Sequence, residues 1–385
     1  MDKNIKLTYF LSFFRFSWFW LGIWVFYYLR FTNYAGIGLI ETILISTAVL
    51  TEIPTGAIAD LLGRKNTMLV SCIFSAIGIF LMGMALNVSH LIFSVLFLGI
   101  GNSLYSGTME AFIYDTLKQS KSEDKYPKYI AKIHAIQLIS PALCGALGGL
   151  MYKFDPRSPF FLSAIFYVIG LIIALFLTEP IVDTIKFSLK NYLLQTKQGL
   201  RELFKSNSIK KQTILLLSIG FFVVILEQMM NSFLSVEYGV KAQYIGLIWA
   251  IIYIVPAVSL QIVPLISKTI SENKALFITG LLIATTLIIS PILGLFLGVT
   301  SIIFRASFQS IYYSLASITI NKNTESKYRA TTLSTFNMIN SLPYVCTAFF
   351  IGSLADKFSA KNISLYLGII LIILLLINKS QRKTL

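Results

Sequence analysis

The sequence predicts an all-α membrane protein with twelve transmembrane helices, arranged as two pseudo-symmetric six-helix bundles. Three observations predict this fold class: the composition, the length of the apolar runs and an internal repeat. Of the 385 residues, 56% are hydrophobic and only 13% are charged. A soluble domain would instead have a surface on which roughly 25–35% of the residues are charged. Most of this chain is therefore expected to be solvated by lipid.

Apolar runs long enough to cross a membrane recur along the whole chain. A hydrocarbon core of about 30 Å requires about 20 residues of helix. Twelve runs meet that requirement, near 7–29, 36–59, 66–87, 91–117, 129–152, 159–178, 212–236, 243–267, 275–292, 294–320, 330–355 and 361–378. Pro291 and Gly294 support a tight turn between the ninth and tenth runs.

The two halves of the chain resemble each other. Three short matches recur in the same order at a nearly constant offset: IGLI at 37–40 and 245–248, FLG at 97–99 and 296–298, and GGLMYKF at 148–154 with GSLADKF at 352–358. Together they indicate that spans 1–6 and 7–12 are two copies of one unit. Because each copy has an even number of spans, the copies are parallel in the membrane, as in many secondary transporters.

The repeat and the longest polar segment predict three regions. They are an N-terminal six-helix bundle at 1–178, a cytoplasmic linker at 179–211 and a C-terminal six-helix bundle at 212–385. Within the linker, one face of a helix is marked by Leu189, Leu193, Thr196, Leu200 and Phe204. The rest of the stretch is mostly basic, so we expect this amphipathic helix to lie on the cytoplasmic lipid surface.

The basic residues predict the orientation in the membrane. With a cytoplasmic N-terminus, 24 of the 32 Lys and Arg residues lie in cytoplasmic segments and six in outer loops. This bias is the positive-inside pattern. It predicts a multi-pass protein of the plasma (inner) membrane with both termini in the cytoplasm. It also accounts for the net charge of +15, so no nucleic-acid partner is predicted.

The sequence contains no pattern typical of an enzyme or a metal site. Cys72, Cys144 and Cys346 all lie in apolar runs, so no disulfide framework is expected. His90 and His134 do not combine with cysteines or carboxylates into a ligand set. There is no nucleotide-binding loop with the spacing Gly-x-x-x-x-Gly-Lys-Ser/Thr. We expect no cofactor, no metal and no enzymatic activity, and a monomer in the lipid bilayer.

The stretch EIPTGAIADLLGRK, residues 52–65, gathers glycines and charges at the end of the second span. Gly56 and Gly63 allow close helix approach and a tight turn. Asp60 is placed to face the positive N-terminal end of a neighbouring helix. Arg64 can reach a carboxylate, with Asp115 near the end of span four as the expected partner. Such a charge cluster would hold the cytoplasmic side closed in one state and break in the other.

This stretch resembles the signature loop of the major facilitator superfamily, Gly-x-x-x-Asp-x-x-Gly-Arg-Lys/Arg. The matching positions are Gly56, Asp60, Gly63, Arg64 and Lys65. The wider pattern EIPTG…EAFIYDTL resembles a bacterial exporter-like branch that includes drug/proton antiporters. The resemblance extends over the whole chain and implies a secondary active transporter that works by alternating access. It also implies that the loop locks a cytoplasmic gate with Asp115 and with the start of span eleven, near Arg329.

Two positions depart from the drug/proton antiporters. Val95 stands where those antiporters carry an arginine in span four, and their Gly-Pro-rich signature in span five is reduced to Ser140–Pro141 followed by three glycines. The function predicted first is proton-coupled efflux of small lipophilic or cationic compounds. A lipid or lysolipid flippase and a nutrient importer of the same fold are the alternatives.

Charged residues inside the spans are the candidates for coupling. A charge within a membrane helix usually faces a cavity or a partner. Counting along the helices places Arg15, Glu52 and Glu110 at one depth and Glu227 with Arg305 at another. Glu110 is the predicted proton carrier and Glu52 the second choice, with Arg15 pairing with one of them. Glu227 is expected to pair with Arg305. The alternative is a set of ion pairs that only fix helix packing.

Polar and aromatic side chains on spans one, seven and ten are the candidates for the substrate cavity. In the superfamily, spans one, four, seven and ten line that cavity. Aromatic rings would suit a flat lipophilic ligand, and a nearby carboxylate would suit a cation. The predicted cavity residues are Glu227, Asn231, Arg305, Phe308, Gln309, Tyr312, Trp24 and Tyr27. The alternative for the aromatic residues is packing in the core or at the lipid interface.

Overall fold

The computed structural model describes residues 3–181 and 189–383, and this part of the chain contains helices and no strand. Side chains are described there except at 53–61, 189, 191–192, 256–257, 267, 326, 330 and 381–383. Two residues of the predicted gate motif, Gly56 and Asp60, therefore lie outside the described residues.

Seventeen α-helices form in the described part of the chain. The first nine are α1 (Lys3–Arg15), α2 (Trp24–Tyr28), α3 (Tyr34–Leu62), α4 (Arg64–Gly83), α5 (Val88–Tyr105), α6 (Thr108–Gln119), α7 (Tyr126–Phe154), α8 (Ser158–Leu175) and α9 (Leu189–Leu203). The others are α10 (Asn207–Ile225), α11 (Asn231–Glu237), α12 (Ala242–Ser259), α13 (Val263–Thr269), α14 (Glu272–Ile288), α15 (Leu295–Asn323), α16 (Arg329–Phe358) and α17 (Ala360–Lys383). A π-helical turn at Leu226–Met230 joins α10 to α11.

Eleven helical segments of the described chain are long and apolar enough to span a membrane. They coincide with the second to the twelfth predicted spans. The first predicted span, 7–29, corresponds to α1 and α2 together with the segment between them. The prediction of twelve transmembrane helices is therefore confirmed, with the first of them interrupted.

The interruption of the first span corrects the prediction of a continuous helix over 7–29. Residues 16–23 form turns, and Gly22 adopts a φ of +79°, which side chains with a Cβ rarely allow. The Ser163 hydroxyl accepts a hydrogen bond from the Phe19 amide over 3.1 Å. The Trp18 indole donates to the hydroxyl of Tyr167 over 3.0 Å. These partners satisfy the Phe19 amide and the Trp18 indole, which lipid cannot hydrogen-bond.

The fourth span is also divided, which corrects the prediction of one helix over 91–117. α5 ends at Tyr105 and α6 begins at Thr108, with Gly107 between them at a φ of +72°. No atom lies within 4 Å of the position that a Cβ would occupy at Gly107. The break places Glu110 in the first turn of α6.

Internal contacts divide the chain into two compact units. Unit 1 contains Met1–Thr32, Ile40–Leu189 and Lys241–Ala250. Unit 2 contains Asn33–Leu39, Lys190–Val240 and Ile251–Leu385. The first residues of α3 thus pack with unit 2, and most of the first half of α12 packs with unit 1. The division of the chain into 1–178, 179–211 and 212–385 stays a prediction.

In unit 1, the glycines of α7 accept the backbone of two other segments. A Cβ at Gly148 would overlap the carbonyl oxygen of Phe19, in the interrupted part of the first span. A Cβ at Gly149 would lie 2.8 Å from the carbonyl oxygen of Gln243, at the start of α12. Small residues permit such close helix contacts in lipid, where packing rather than the hydrophobic effect holds helices together.

In unit 2, carboxylates cover the N-termini of two helices. Asp356 accepts hydrogen bonds from the amides of Tyr34 and Ala35 over 3.0 and 2.9 Å, at the start of α3. Glu237 accepts from the amides of Ala360 and Lys361, at the start of α17. The first amides of a helix have no partner within it and carry partial positive charge. Both carboxylates therefore stabilise helix starts from a distant part of the sequence.

The linker helix α9 packs on α16 within unit 2. Gly199 faces the Thr335 side chain so closely that a Cβ would overlap it. Of the predicted apolar face, Leu193, Leu200 and Phe204 are exposed. The position of this helix on a lipid surface stays a prediction.

We expect Gly148→Ala to destabilise unit 1, because the new methyl group overlaps a backbone oxygen that no rotamer change can move. The expected loss is about 1–3 kcal/mol, measured as a lower melting temperature in detergent. Gly170→Ala is the matched control, since a Cβ there would make an ordinary contact at 3.4 Å. An unchanged melting temperature for Gly148→Ala would refute the close approach of α7 to Phe19.

Candidate functional site

A stripe of exposed polar side chains runs along the fourth span in unit 1. Asn102, Ser106, Glu110 and Tyr114 recur every four residues, and each of them is exposed. Four-residue spacing places Glu110 and Tyr114 on nearly the same face of α6, whereas Asn102 lies on α5, before the break at Gly107. Polar groups on a membrane helix are costly in contact with hydrocarbon. We infer that this face is in contact with water rather than with lipid.

Glu110 lies beside the histidine of the next span. Its Oε1 is 3.9 Å from Nε2 of His134 on α7, and the two side chains are 55% and 54% exposed. Nδ1 of His134 also lies 3.2 Å from Oε1 of Gln137. Glu110 occupies the first turn of α6, where the helix dipole favours negative charge. Two titratable groups thus meet on the water-accessible face.

Arg15 is buried in unit 1, with a side chain only 2% exposed. Its Nη2 donates to the Asn102 side-chain oxygen over 3.1 Å and lies 3.4 Å from the carbonyl oxygen of Gly101. Its guanidinium carbon also lies 4.9 Å from the ring centre of Tyr105 and 4.8 Å from that of Tyr167. Neutral dipoles and aromatic faces therefore hold this cation.

The expected pairing of Arg15 with Glu110 or Glu52 is wrong in this structure. Glu110 points to the exposed face of α6, whereas Arg15 is buried against α5. Arg15 and Glu110 were predicted at equal depth, but residues at equal depth on two helices need not face each other. Glu52 is exposed on α3, immediately before the side chains that the structure does not describe. The groups that hold Arg15 are thus neutral, and its role in a coupling site stays a prediction.

In unit 2, an exposed carboxylate lies in the π-helical turn of the seventh span. The Glu227 Oε2 accepts a hydrogen bond of 2.6 Å from the Tyr313 hydroxyl on α15. Tyr253 of α12 lies close enough to interact with Glu227 electrostatically. π-helical turns occur frequently at functional sites. Because a carboxylate facing lipid would be costly, we infer that Glu227 also faces water.

Arg305 is buried in unit 2 and interacts with neutral groups. Its Nη1 donates to the Asn231 side-chain oxygen over 2.9 Å, and its Nε donates to the Thr286 hydroxyl over 3.1 Å. Asn231 in turn donates to the side-chain oxygen of Gln309 over 3.4 Å. The expected Glu227–Arg305 pair is wrong, because Arg305 lies on the buried face of α15 and Glu227 bonds to Tyr313 on the exposed face.

Most of the predicted cavity residues are buried in this structure, and their assignment to the substrate cavity stays a prediction. The buried ones are Asn231, Arg305, Gln309, Tyr312, Trp24 and Tyr27. Tyr27, for example, donates to the carbonyl oxygens of Met82 and Gly83 over 3.0 and 3.1 Å. Glu227 is exposed and Phe308 is half-buried. Phe304, which the prediction left out, is exposed with its ring stacked 6.5 Å from that of Phe308.

The described part of the gate motif contains an ion pair and a helix cap. Arg64 Nε lies 3.7 Å from Asp115 Oδ2, as expected from the sequence. Glu179 accepts hydrogen bonds from the amides of Arg64 and Lys65 over 2.6 and 2.7 Å. Gly63 precedes this helix start with a φ of +86°, and a Cβ there would lie 2.8 Å from the carboxyl carbon of Glu179. Glycine is therefore required at Gly63 for its conformation and for space.

The structure reveals contacts or burial of four titratable residues that the sequence did not assign to a site. His134, Tyr313 and Glu179 contact Glu110, Glu227 and the start of α4 respectively. Glu41, in the first third of α3, is buried, with only 7% exposure. The only signal for Glu179 in the sequence was the lack of a local side-chain cap before α4. No group of three or more His, Cys, Asp or Glu residues that could hold a metal ion occurs among the described residues.

The arrangement matches a known family. A family model described as Major Facilitator Superfamily matches residues 6–345. The chain belongs to the major facilitator superfamily. The predicted resemblance is thereby confirmed, and the members of this superfamily are transporters rather than enzymes.

Relatives of this superfamily protein support the same assignment. The chain is 22% identical over 365 residues to "Uncharacterized MFS-type transporter YxaM" of Bacillus subtilis (strain 168), covering 91% of this chain and 88% of that protein. A mutant of the nucleoside transporter NupG has a similar fold with a TM-score of 0.81 at 16% identity, covering 98% of this chain and 99% of NupG.

A second structural neighbour is a POT family transporter in complex with 5-aminolevulinic acid. It has a TM-score of 0.74 at 13% identity, covering 98% of this chain and 95% of that one. At these identities the structural likeness shows the fold alone.

We expect Asn231→Leu to destabilise unit 2, because it removes an acceptor from a guanidinium that is 0% exposed. A lost hydrogen bond to a buried charge costs about 1.5–3 kcal/mol, measurable as a lower melting temperature. Ser235→Ala is the control, since that hydroxyl donates to the Asn231 carbonyl oxygen within the same helix. Adding Arg305→Met should recover much of the loss. Equal melting temperatures for Asn231→Leu and wild type would contradict this role of Asn231.

Proposed function

We propose that this protein is a proton-coupled antiporter that exports small lipophilic or cationic compounds by alternating access. The observation that carries the proposal is the exposed carboxylate of Glu110 beside His134, on the polar stripe of the fourth span. Membership of the superfamily supports secondary transport, and this pair supports the choice of the proton as coupling ion.

The Glu110–His134 pair brings a carboxylate and an imidazole to within 3.9 Å of each other. Histidine is the side chain whose charge most readily changes near neutral pH. When His134 is protonated, it attracts the Glu110 carboxylate across the 3.9 Å separation. When Glu110 takes up a proton, it no longer attracts a cation. A proton entering from the outer side would therefore release a cationic substrate there, and its loss on the inner side would prepare the site for the next one.

Glu227 and its aromatic neighbours support a lipophilic or cationic substrate. The carboxylate accepts a hydrogen bond from the Tyr313 hydroxyl on α15, and Phe304 and Phe308 stack on each other nearer the start of that helix. A carboxylate beside aromatic faces suits an organic cation, because both attract positive charge while the rings contact its apolar parts. The Tyr313 ring beside this carboxylate supports Glu227 as a substrate contact in the second half of the chain, and we propose Phe308 as a further one.

The ion pair between Arg64 and Asp115 supports a cytoplasmic gate. Both side chains are largely shielded from water, at 21% and 12% exposure. Partial burial strengthens the attraction between opposite charges relative to an exposed pair. Asp115 lies on α6, the same short helix that carries Glu110. We propose that this contact is kept in one state of the cycle and broken in the other, with Gly56, Asp60 and Lys65 completing the motif.

The remaining assignments rest on the distribution of charge and on the repeat. The excess of Lys and Arg on one side supports a plasma membrane protein with both termini in the cytoplasm. The two halves, 1–178 and 212–385, would be the parts that move, and 179–211 would connect them. We propose that one chain is sufficient for transport.

An importer is the second candidate function. The structural neighbours are named nucleoside and peptide transporters, and an importer would use the same carboxylates to draw substrate inward with protons. The two directions can be separated in proteoliposomes by imposing a pH gradient of known sign. Tetraphenylphosphonium serves as the lipophilic cation and uridine as the nucleoside in that assay.

We expect Glu110→Gln to abolish transport of tetraphenylphosphonium driven by a pH gradient, because glutamine cannot carry the proton. Binding and exchange without a gradient should persist. Transport is measured in proteoliposomes with the inside acidic, and exchange with equal pH on both sides. Glu123→Gln, which neutralises an exposed loop carboxylate, is the control and should retain gradient-driven transport.

His134→Gln provides a further test of the same pair. It removes a titratable neighbour while keeping a polar side chain, so the pH dependence of transport should shift although transport continues. If Glu110→Gln still shows gradient-driven transport at the wild-type rate, Glu110 is not the proton carrier. With the inside acidic, protons leave the vesicles, so an antiporter accumulates tetraphenylphosphonium whereas a proton symporter releases preloaded uridine. Uridine release without tetraphenylphosphonium accumulation would decide for the importer.

We expect Asp115→Asn to open the cytoplasmic side more often, because it removes the negative charge that attracts Arg64. A single cysteine at position 62, introduced as Leu62→Cys in a Cys346→Ser background, reports access through its rate of labelling by a water-soluble maleimide. Cys72 and Cys144 are buried and should not react. The rate should rise several-fold in Asp115→Asn and stay near wild type in Asp115→Glu. Identical rates in all three proteins would exclude a gating role.

A further inference from the structure

A groove lies at one end of unit 2, between α10, α14 and α17. Its volume is about 450 Å³, within the range of small-molecule sites. Its mouth lies at the start of α14 and near the end of α17, which is the side that the basic residues predict to be cytoplasmic, and Leu215 in the middle of α10 lines its wall. None of its lining residues belongs to the coupling pair, the gate or the predicted substrate cavity.

The mouth of the groove is basic. Lys274 in the first turn of α14 and Lys379 near the end of α17 both line it and are exposed. The ammonium group of Lys379 lies 5.3 Å from the ring centre of Phe277, which holds it over the groove. The nearest acidic neighbour in sequence, Glu272, is engaged in an ion pair of 2.9 Å with Lys322. The described lining contains no carboxylate, so the mouth attracts anions.

Neutral polar groups stand between the lysines. Ser271, the residue before α14, contributes an exposed hydroxyl to the lining. Asn378 is nearly buried and lies beside Lys379, with its Nδ2 3.4 Å from the hydroxyl of Ser218. The start of α14 also presents the partial positive charge of a helix N-terminus. A phosphate between the two lysines would therefore meet hydrogen-bond donors as well as positive charge.

The deeper part of the groove is apolar. Leu215, Ile278 and Leu375 line it, each on a different helix. Ile278 and Leu375 lie four residues from Lys274 and Lys379, which is about one helical turn, or roughly 6 Å, towards the membrane centre. Ile278 is 38% exposed, although Leu215 and Leu375 are buried. The groove thus combines a cationic mouth at the membrane surface with an apolar floor inside the membrane.

We propose that this groove binds an anionic phospholipid of the cytoplasmic leaflet. The headgroup phosphate would lie between Lys274 and Lys379, and the first part of one acyl chain would lie over Ile278 and Leu375. Basic pockets between transmembrane helices on the cytoplasmic side are suited to anionic headgroups, and that leaflet is rich in them. A soluble anion would match the mouth and leave the apolar floor without a partner. The site is separate from the proposed transport pathway.

The experiment measures bound lipid on the full chain. Protein in mild detergent is mixed with phosphatidylglycerol or phosphatidylcholine, and bound lipid is counted by native mass spectrometry. Wild type should prefer phosphatidylglycerol. Lys274→Gln with Lys379→Gln should weaken phosphatidylglycerol binding by about 10- to 30-fold. Ile278→Trp should also weaken binding, because the larger ring fills the apolar floor from an already exposed position.

The control removes the same number of charges elsewhere on the predicted cytoplasmic side. Lys128→Gln with Lys132→Gln alters exposed residues of α7 and should keep wild-type binding. Melting temperatures confirm that all variants are folded. An equal loss in this control, no preference between the two lipids, or full binding by Ile278→Trp would each overturn the proposal. Displacement of phosphatidylglycerol by an equimolar amount of inorganic phosphate would also overturn it, because the site would then recognise phosphate alone.

Discussion

Lipid can solvate neither an unpaired backbone group nor a charge, and this constraint determines where the polar residues of the protein lie. The interrupted first span is maintained because the Ser163 hydroxyl satisfies a backbone amide of the interruption. Arg15 and Arg305 obey the same constraint with amide, hydroxyl and carbonyl oxygens or aromatic rings rather than carboxylates. Neutral partners stabilise a buried cation without the cost of removing a second charge from water.

The constraint also separates packing residues from candidates for transport. The buried guanidinium groups hold helices together within each unit, whereas Glu110 and Glu227 are exposed on helices that are otherwise apolar. Each exposed carboxylate has a titratable neighbour, His134 in unit 1 and Tyr313 in unit 2. Exposure, rather than the mere presence of a charge in a span, is therefore the basis on which Glu110 and Glu227 are proposed for transport.

The number of spans and the superfamily could be predicted from the sequence, because hydropathy and the loop around Gly63 and Arg64 are local signals. The partners of the charged residues could not. Counting residues placed Arg15 and Glu110 at similar depths, yet Arg15 contacts Asn102 on α5 while the break at Gly107 puts Glu110 on the separate helix α6. Glu179 was missed for a related reason: it caps a helix that begins 115 residues earlier, and such a contact exists only in the folded chain.

The division of the fourth span at Gly107 has a mechanical consequence. α6 is a separate helix of 12 residues, and it carries Glu110 near one end and Asp115 about 7.5 Å further along its axis. A short helix is stiff, while the glycine that precedes it is free of contacts at its Cβ position. A tilt of α6 about Gly107 would move the Glu110 carboxylate, the proposed proton carrier, and Asp115, the partner of Arg64, together as parts of one rigid helix. A proton or ligand bound at Glu110 would thus alter the Arg64–Asp115 contact without any change in α5.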